Sequence, residues 1–95
     1  MVVGVMTVEI FLGDAFSLKE KRQVVKSIIE RLKSRFNVSV AEVEKQDDKR
    51  WAVIGLACVS NSGEHVNRQL DHILDFMEND GRFSVEGIDR EIQYF

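Results

Sequence analysis

The sequence contains no proline and one cysteine, Cys58, and no apolar run approaches the ~20 residues that a membrane span requires. A lone cysteine excludes an internal disulfide framework and fits a reducing compartment. Proline-rich spacers, internal repeats and low-complexity tracts are all missing, so nothing divides the chain into separate parts. The start also lacks a basic region ahead of an apolar segment with a small-residue cleavage site, and the chain therefore reads as cytoplasmic. What is present describes a soluble globule: 44% apolar and 31% charged residues with a mean hydropathy of -0.16. Ninety-five residues leave room for a single domain, 1–95, around a single core.

The net charge of -3 conceals a segregated distribution. Residues 19–35 hold seven cations against two acids, a net +5, whereas residues 61–80 hold five acids against one cation, a net -4. A pI of 5.3 argues against a dedicated nucleic-acid binder, yet a basic stripe of this kind still allows local binding of an anion.

Val2 to Leu12 is rich in branched residues and bounded by Gly13-Asp14, which predicts a strand with Val2, Gly4, Met6, Val8, Ile10 and Leu12 on its core face. Ser17 stands three residues before Glu20, as a capping box requires, so a helix starts there. Leu18, Val25, Ile28, Ile29, Leu32 and Phe36 give it one apolar stripe. Asn37 is expected to close it in the left-handed conformation.

Val38 to Glu44 reads as a strand whose apolar side switches between Val40 and Val43, the mark of a bulge. A charged turn, Gln46 to Lys49, leads into a strand from Trp51 to Val59 that is apolar on both sides. Asn61-Ser62-Gly63 breaks the chain before a second amphipathic helix carrying Val66, Leu70, Ile73, Leu74 and Met77, which stops near Asp80-Gly81. Phe83 to Phe95 completes the order as a last strand, with a kink expected at Gly87. Strand, helix, strand, strand, helix, strand is the split βαβ pattern, an α+β ferredoxin-like βαββαβ fold with a four-stranded antiparallel sheet and two helices on one face. The helices then lie side by side, and their opposite charges are expected to neutralise each other across the groove.

Several chemistries fail for want of residues. An acylphosphatase-type phosphate cradle needs an arginine in the loop after the first strand, and Gly13-Asp14-Ala15-Phe16 offers only a carboxylate. Cys58 alone cannot form a paired-cysteine metal site and reads as a small buried hydrophobe. His65 and His72, about two turns or ~10 Å apart, cannot share one metal ion. No Ser, Cys or His stands in an acid–base pattern with the carboxylate pairs, so no catalytic residue, metal or cofactor is assigned.

Binding is better supplied. Lys19, Arg22, Lys26 and Lys33 fall within about 60° on the first helix, with Lys21, Arg31 and Arg35 on the other flank of its apolar stripe. A row of long cations follows a phosphate backbone without reading bases, which makes Lys19, Lys21, Arg22, Lys26 and Lys33 the candidate nucleic-acid contacts. Trp51 and Phe11 are the only aromatics placed for base stacking on the sheet, fewer than an RRM presents. Phe76, Trp51 and Val53 are candidates for self-association, and a homo-oligomer, most simply a dimer, is expected because one side of the third strand must find a cover, whichever side that is.

Ser17-Leu18-Lys19-Glu20-Lys21-Arg22 and Phe36-Asn37-Val38-Ser39-Val40-Ala41-Glu42-Val43 resemble a YlxP-like family of small bacterial proteins of unknown function, over essentially the whole length. The resemblance implies a ferredoxin-like fold and, because genes of this family accompany those of translation initiation and ribosome maturation, a place near RNA or a ribosomal component. It implies no catalytic residues. Phe16 departs from the polar or small residue usual there and is expected to staple onto Lys21 or its neighbours. The expectation is a non-catalytic binding protein acting through its basic first helix. An ACT-like regulatory module, with a small ligand at a subunit boundary near Gly13-Asp14-Ala15, is the alternative.

Overall fold

Strands and helices form where the alternation and the capping signals place them. In the computed structural model, which describes residues 1–13 and 17–95, β1 (Val2–Phe11) is followed by α1 (Leu18–Arg35), β2 (Ser39–Glu44), β3 (Trp51–Ser60), α2 (Gly63–Glu78) and β4 (Ser84–Tyr94). The strands pair antiparallel in the order β2-β3-β1-β4, with both helices on one face, which is the ferredoxin-like α+β fold.

Register decides which side of each strand meets the helices. Met6 pairs with Leu56 and Val8 with Ile54, and these four close against Val25, Ile28 and Leu32 of α1 and Leu70, Ile73 and Met77 of α2. Gly4 sits where α2 crosses β1 most closely: a Cβ there would strike Val66 and press Leu70 at 3.1 Å, so a side chain would push the helix off the sheet. Trp51, Val53, Gly55, Ala57 and Val59 therefore point away from the helices, which settles the register that the third strand's two apolar sides left open.

The expected bulge is present, as a register shift between Glu42 and Glu44 that throws Val43 across the β2–β3 pair. Gly55 permits this, because a Cβ there would meet Val43 Cγ1 at 2.7 Å. On β4 the pairing passes from Gly87 to Val85 and skips Glu86, so the kink expected at Gly87 is a bulge.

The capping box of α1 is formed: Ser17 Oγ accepts from Glu20 N at 3.1 Å and Ser17 N donates to Glu20 Oε1 at 3.2 Å. The C-terminus corrects the expectation for Asn37. Phe36 itself leaves the helix in an extended conformation, its N–H still bonded to the Leu32 carbonyl at 2.8 Å, because its ring packs edge-on against Phe76 at 5.8 Å. Among the described residues the one non-glycine with positive φ is Lys45, at 62°, which turns the chain out of β2.

Candidate functional site

The basic stretch of α1 divides into three groups with different fates. Lys21 was expected among the exposed cations and is instead completely buried. Its phase explains this correction: Lys21, Val25, Ile28 and Leu32 follow one another at steps of four, three and four, so Lys21 lies on the core face. Its Nζ reaches Glu42 Oε2 at 2.7 Å, the Lys45 carbonyl at 2.7 Å and the Gln46 carbonyl at 3.4 Å. The ammonium thus donates to two carbonyls and pairs with one carboxylate, and it ties the first turn of α1 to the bulged end of β2. A group so enclosed is no contact for an external polyanion.

Arg31 and Arg35 form the second group, on the flank that faces α2. Both guanidinium groups lie over the Phe76 ring, at 5.2 and 5.0 Å, and Arg31 Nη1 reaches Asp80 Oδ2 at 3.2 Å. Arg82 grips the same carboxylate with Nε at 2.6 Å and Nη2 at 2.7 Å while donating to Ser27 Oγ of α1. The Arg82 bond, more than any other influence, holds the Asp80 carboxyl below the usual range. Phe76, read from its position off the main stripe as a self-association residue, has its ring engaged inside the chain by Phe36, Arg31 and Arg35.

Lys19, Arg22, Lys26 and Lys33 make the third group and are exposed on the opposite flank. Arg22 approaches Asp47 at 3.4 Å with both side chains largely in solvent, and Lys26 stands 4.0 Å from Glu30, which shares the stripe. Contacts this open contribute little. Lys19 and Lys33 form no ion pair among the described residues. Among the described residues no acid of α2 forms an ion pair with this flank; Asp71 is held by Arg90 of β4 at 2.7 Å and Glu64 by Arg68 at 2.9 Å. Among the described residues the expectation that the two helices neutralise each other is thus met only at Arg31, through Asp80 just past the end of α2.

The sheet aromatics are brought together on the face away from the helices. Phe11 pairs with Trp51 in register, and their ring centroids stand 4.8 Å apart. Lys45 Nζ lies over the Trp51 ring at 5.2 Å and is held there by Glu9 Oε2 at 2.7 Å, so one face of the indole already has a cation against it. Val53 shares this side of the sheet but is only 7% exposed and offers little area for self-association. Cys58 is a buried hydrophobe whose thiol is pushed upward by desolvation. Expectations placed on the loop after β1, the ACT-like ligand position and the Phe16 staple fall on residues 14–16, outside the described residues. No helix among the described residues is long and apolar enough to cross a membrane.

Sequence reasoning missed two features. The burial of Lys21 was visible in its spacing to Val25 and Ile28 but was obscured by its charge. The exposure of Val43 depends on the bulge and on Gly55 beneath it, which only the pairing register reveals.

Comparison with known proteins agrees with this description. A designed protein, "De novo designed protein Foldit4", matches all of this chain and 99% of its own with a TM-score of 0.54 at 16% identity, a likeness of fold alone. The "Uncharacterized protein YlxP" of Bacillus subtilis (strain 168) is 38% identical over 77 residues, 81% of this chain and 84% of that protein. The model of the family described as "Protein of unknown function (DUF503)" matches residues 3–90, and the chain belongs to that family.

Proposed function

We propose that this chain is a non-catalytic binding protein that holds an RNA phosphate backbone along the outward flank of α1. The observation that carries the reading is the exposure of Lys19, Arg22, Lys26 and Lys33 on one side of one helix, none of them in an ion pair with an acid of α2 among the described residues. From Lys19 to Lys33 the row runs ~21 Å along the helix, long enough to follow several phosphates and unsuited to reading base edges. Lys19 and Arg22 also lie near the start of the helix, where a cation costs about 0.3–1 kcal/mol against the helix dipole. Lys21 answers that cost with Glu42, whereas Lys19 and Arg22 have only Asp47, loosely, and an external anion would answer it for them. The net charge of -3 makes attraction to RNA local to this flank.

The test is fluorescence anisotropy with a labelled single-stranded RNA over a range of NaCl concentrations. Four phosphate contacts predict a slope of about -3 for log affinity against log salt. Charge reversal at Lys19, Arg22, Lys26 and Lys33 removes most of it. Affinity that is independent of salt, or unchanged in the reversed protein, overturns the reading.

A further inference from the structure

We infer that the sheet face opposite the helices is the interface of a homodimer, with a second copy of this chain as its occupant. Val5, Val43 and Val59 are 39%, 45% and 59% exposed on this face. They belong to one ridge, in which Val3 pairs with Val59, Val5 pairs with Ala57 and Val43 covers Gly55; beyond it the Glu9–Lys45 pair stands beside the Phe11–Trp51 rings. A ridge of this length on a small monomer is a surface that associates.

Area permits it. The four strands contain 10, 6, 10 and 11 residues, and at ~3.3 Å per residue and ~4.8 Å between strands the face covers roughly 600 Å². Two copies then bury roughly 1,200 Å², at the lower bound of stable interfaces and well above most crystal-packing contacts.

The charge layout selects a second copy and its orientation. On this face Glu91, level with Val5, and Asp89, level with Thr7, line the β4 edge while the β2 edge at the same levels carries Ser39 and Ala41; further along, Glu9 of β1 and Glu44 of β2 flank Val53, with Glu9 held by Lys45. A twofold axis across the strands stacks one β4 on the other and sets carboxylate against carboxylate. With the axis along the strands, between β1 and β3, β4 of each copy lies over β2 of its mate. Glu91 and Asp89 then meet small side chains at a wet rim, and Val5 lies over Ala57 of the other copy at the centre. At the level of Val53 the same axis sets Glu9, already neutralised by Lys45, over Val53 of the other copy and Glu44 over Gly87, so no carboxylate meets another directly.

Sedimentation equilibrium of the intact chain tests this. Wild type is expected at twice 10.9 kDa, in high as well as low salt. Val5→Lys and Val59→Lys are expected to return the monomer mass, with circular dichroism confirming that these exposed substitutions leave the fold in place. The charge-reversed α1 protein is expected to stay dimeric, which separates this result from the fate of the RNA reading. A monomeric wild type overturns the inference. So does a dimer indifferent to both lysines, or one that dissociates only in salt, because that marks α1 of one copy lying on the acidic edge of another.

Discussion

Lys19 and Lys21 stand two residues apart on the same helix and have opposite surroundings. Lys19 projects into solvent with no ion pair among the described residues, while Lys21 is wholly enclosed, paired with Glu42 and hydrogen-bonded to two carbonyls. The difference is one of helical phase, since two residues turn a side chain about 200° around the axis. A net charge of +5 over residues 19–35 therefore says little by itself. One cation is structural, two are stacked on Phe76, and four face outward for any external partner.

The comparison breaks most severely at Lys21. Replacing it with methionine leaves the Glu42 carboxylate without its partner in a closed site, and a cost of about 3–5 kcal/mol is expected by urea denaturation. Adding Glu42→Leu to that protein is expected to restore much of the loss, because an apolar pair of similar volume removes both desolvation penalties. Lys19→Met, by contrast, is expected to change stability by less than about 0.5 kcal/mol. Equal effects at Lys19 and Lys21 would remove the distinction.

A smaller effect is expected on the flank facing α2. Asp80→Asn weakens a carboxylate gripped by Arg82 and Arg31, at about 1.5–3 kcal/mol. Because Asp80 titrates below its unfolded value of 3.8, its contribution is present above that pH and is lost as pH falls through the lower folded value. The acid limb of the stability curve should accordingly be shallower in Asp80→Asn than in wild type. Identical acid limbs would show that Arg82 and Arg31 do not act through this carboxylate. Smaller again, though above the Lys19→Met effect, Ser17→Ala removes one half of the capping box and is expected to cost about 1 kcal/mol without altering RNA affinity.

Much of the fold was legible because its signals are local. The β1 alternation, the Ser17–Glu20 box and the switch of apolar side before Val43 each arise within a few residues, and each has its predicted counterpart. Features set by distant partners were not legible. Asn37 does not cap α1 because Phe36 is drawn to Phe76, forty residues away, and Lys45 takes the left-handed turn although no glycine marks it. At the candidate site the four outward cations follow from helix periodicity alone. Which flank α2 would occupy, and that Arg90 of β4 would take Asp71, depends on how the helices sit over the sheet.

The most direct measurement compares the salt dependence of RNA affinity in three proteins: wild type, Lys19→Glu with Arg22→Glu, and the further addition of Lys26→Glu and Lys33→Glu. The account predicts slopes that fall from about -3 towards zero as the outward flank is reversed, in step with the number of cations removed. An equal slope in all three, with the fold intact, would contradict it.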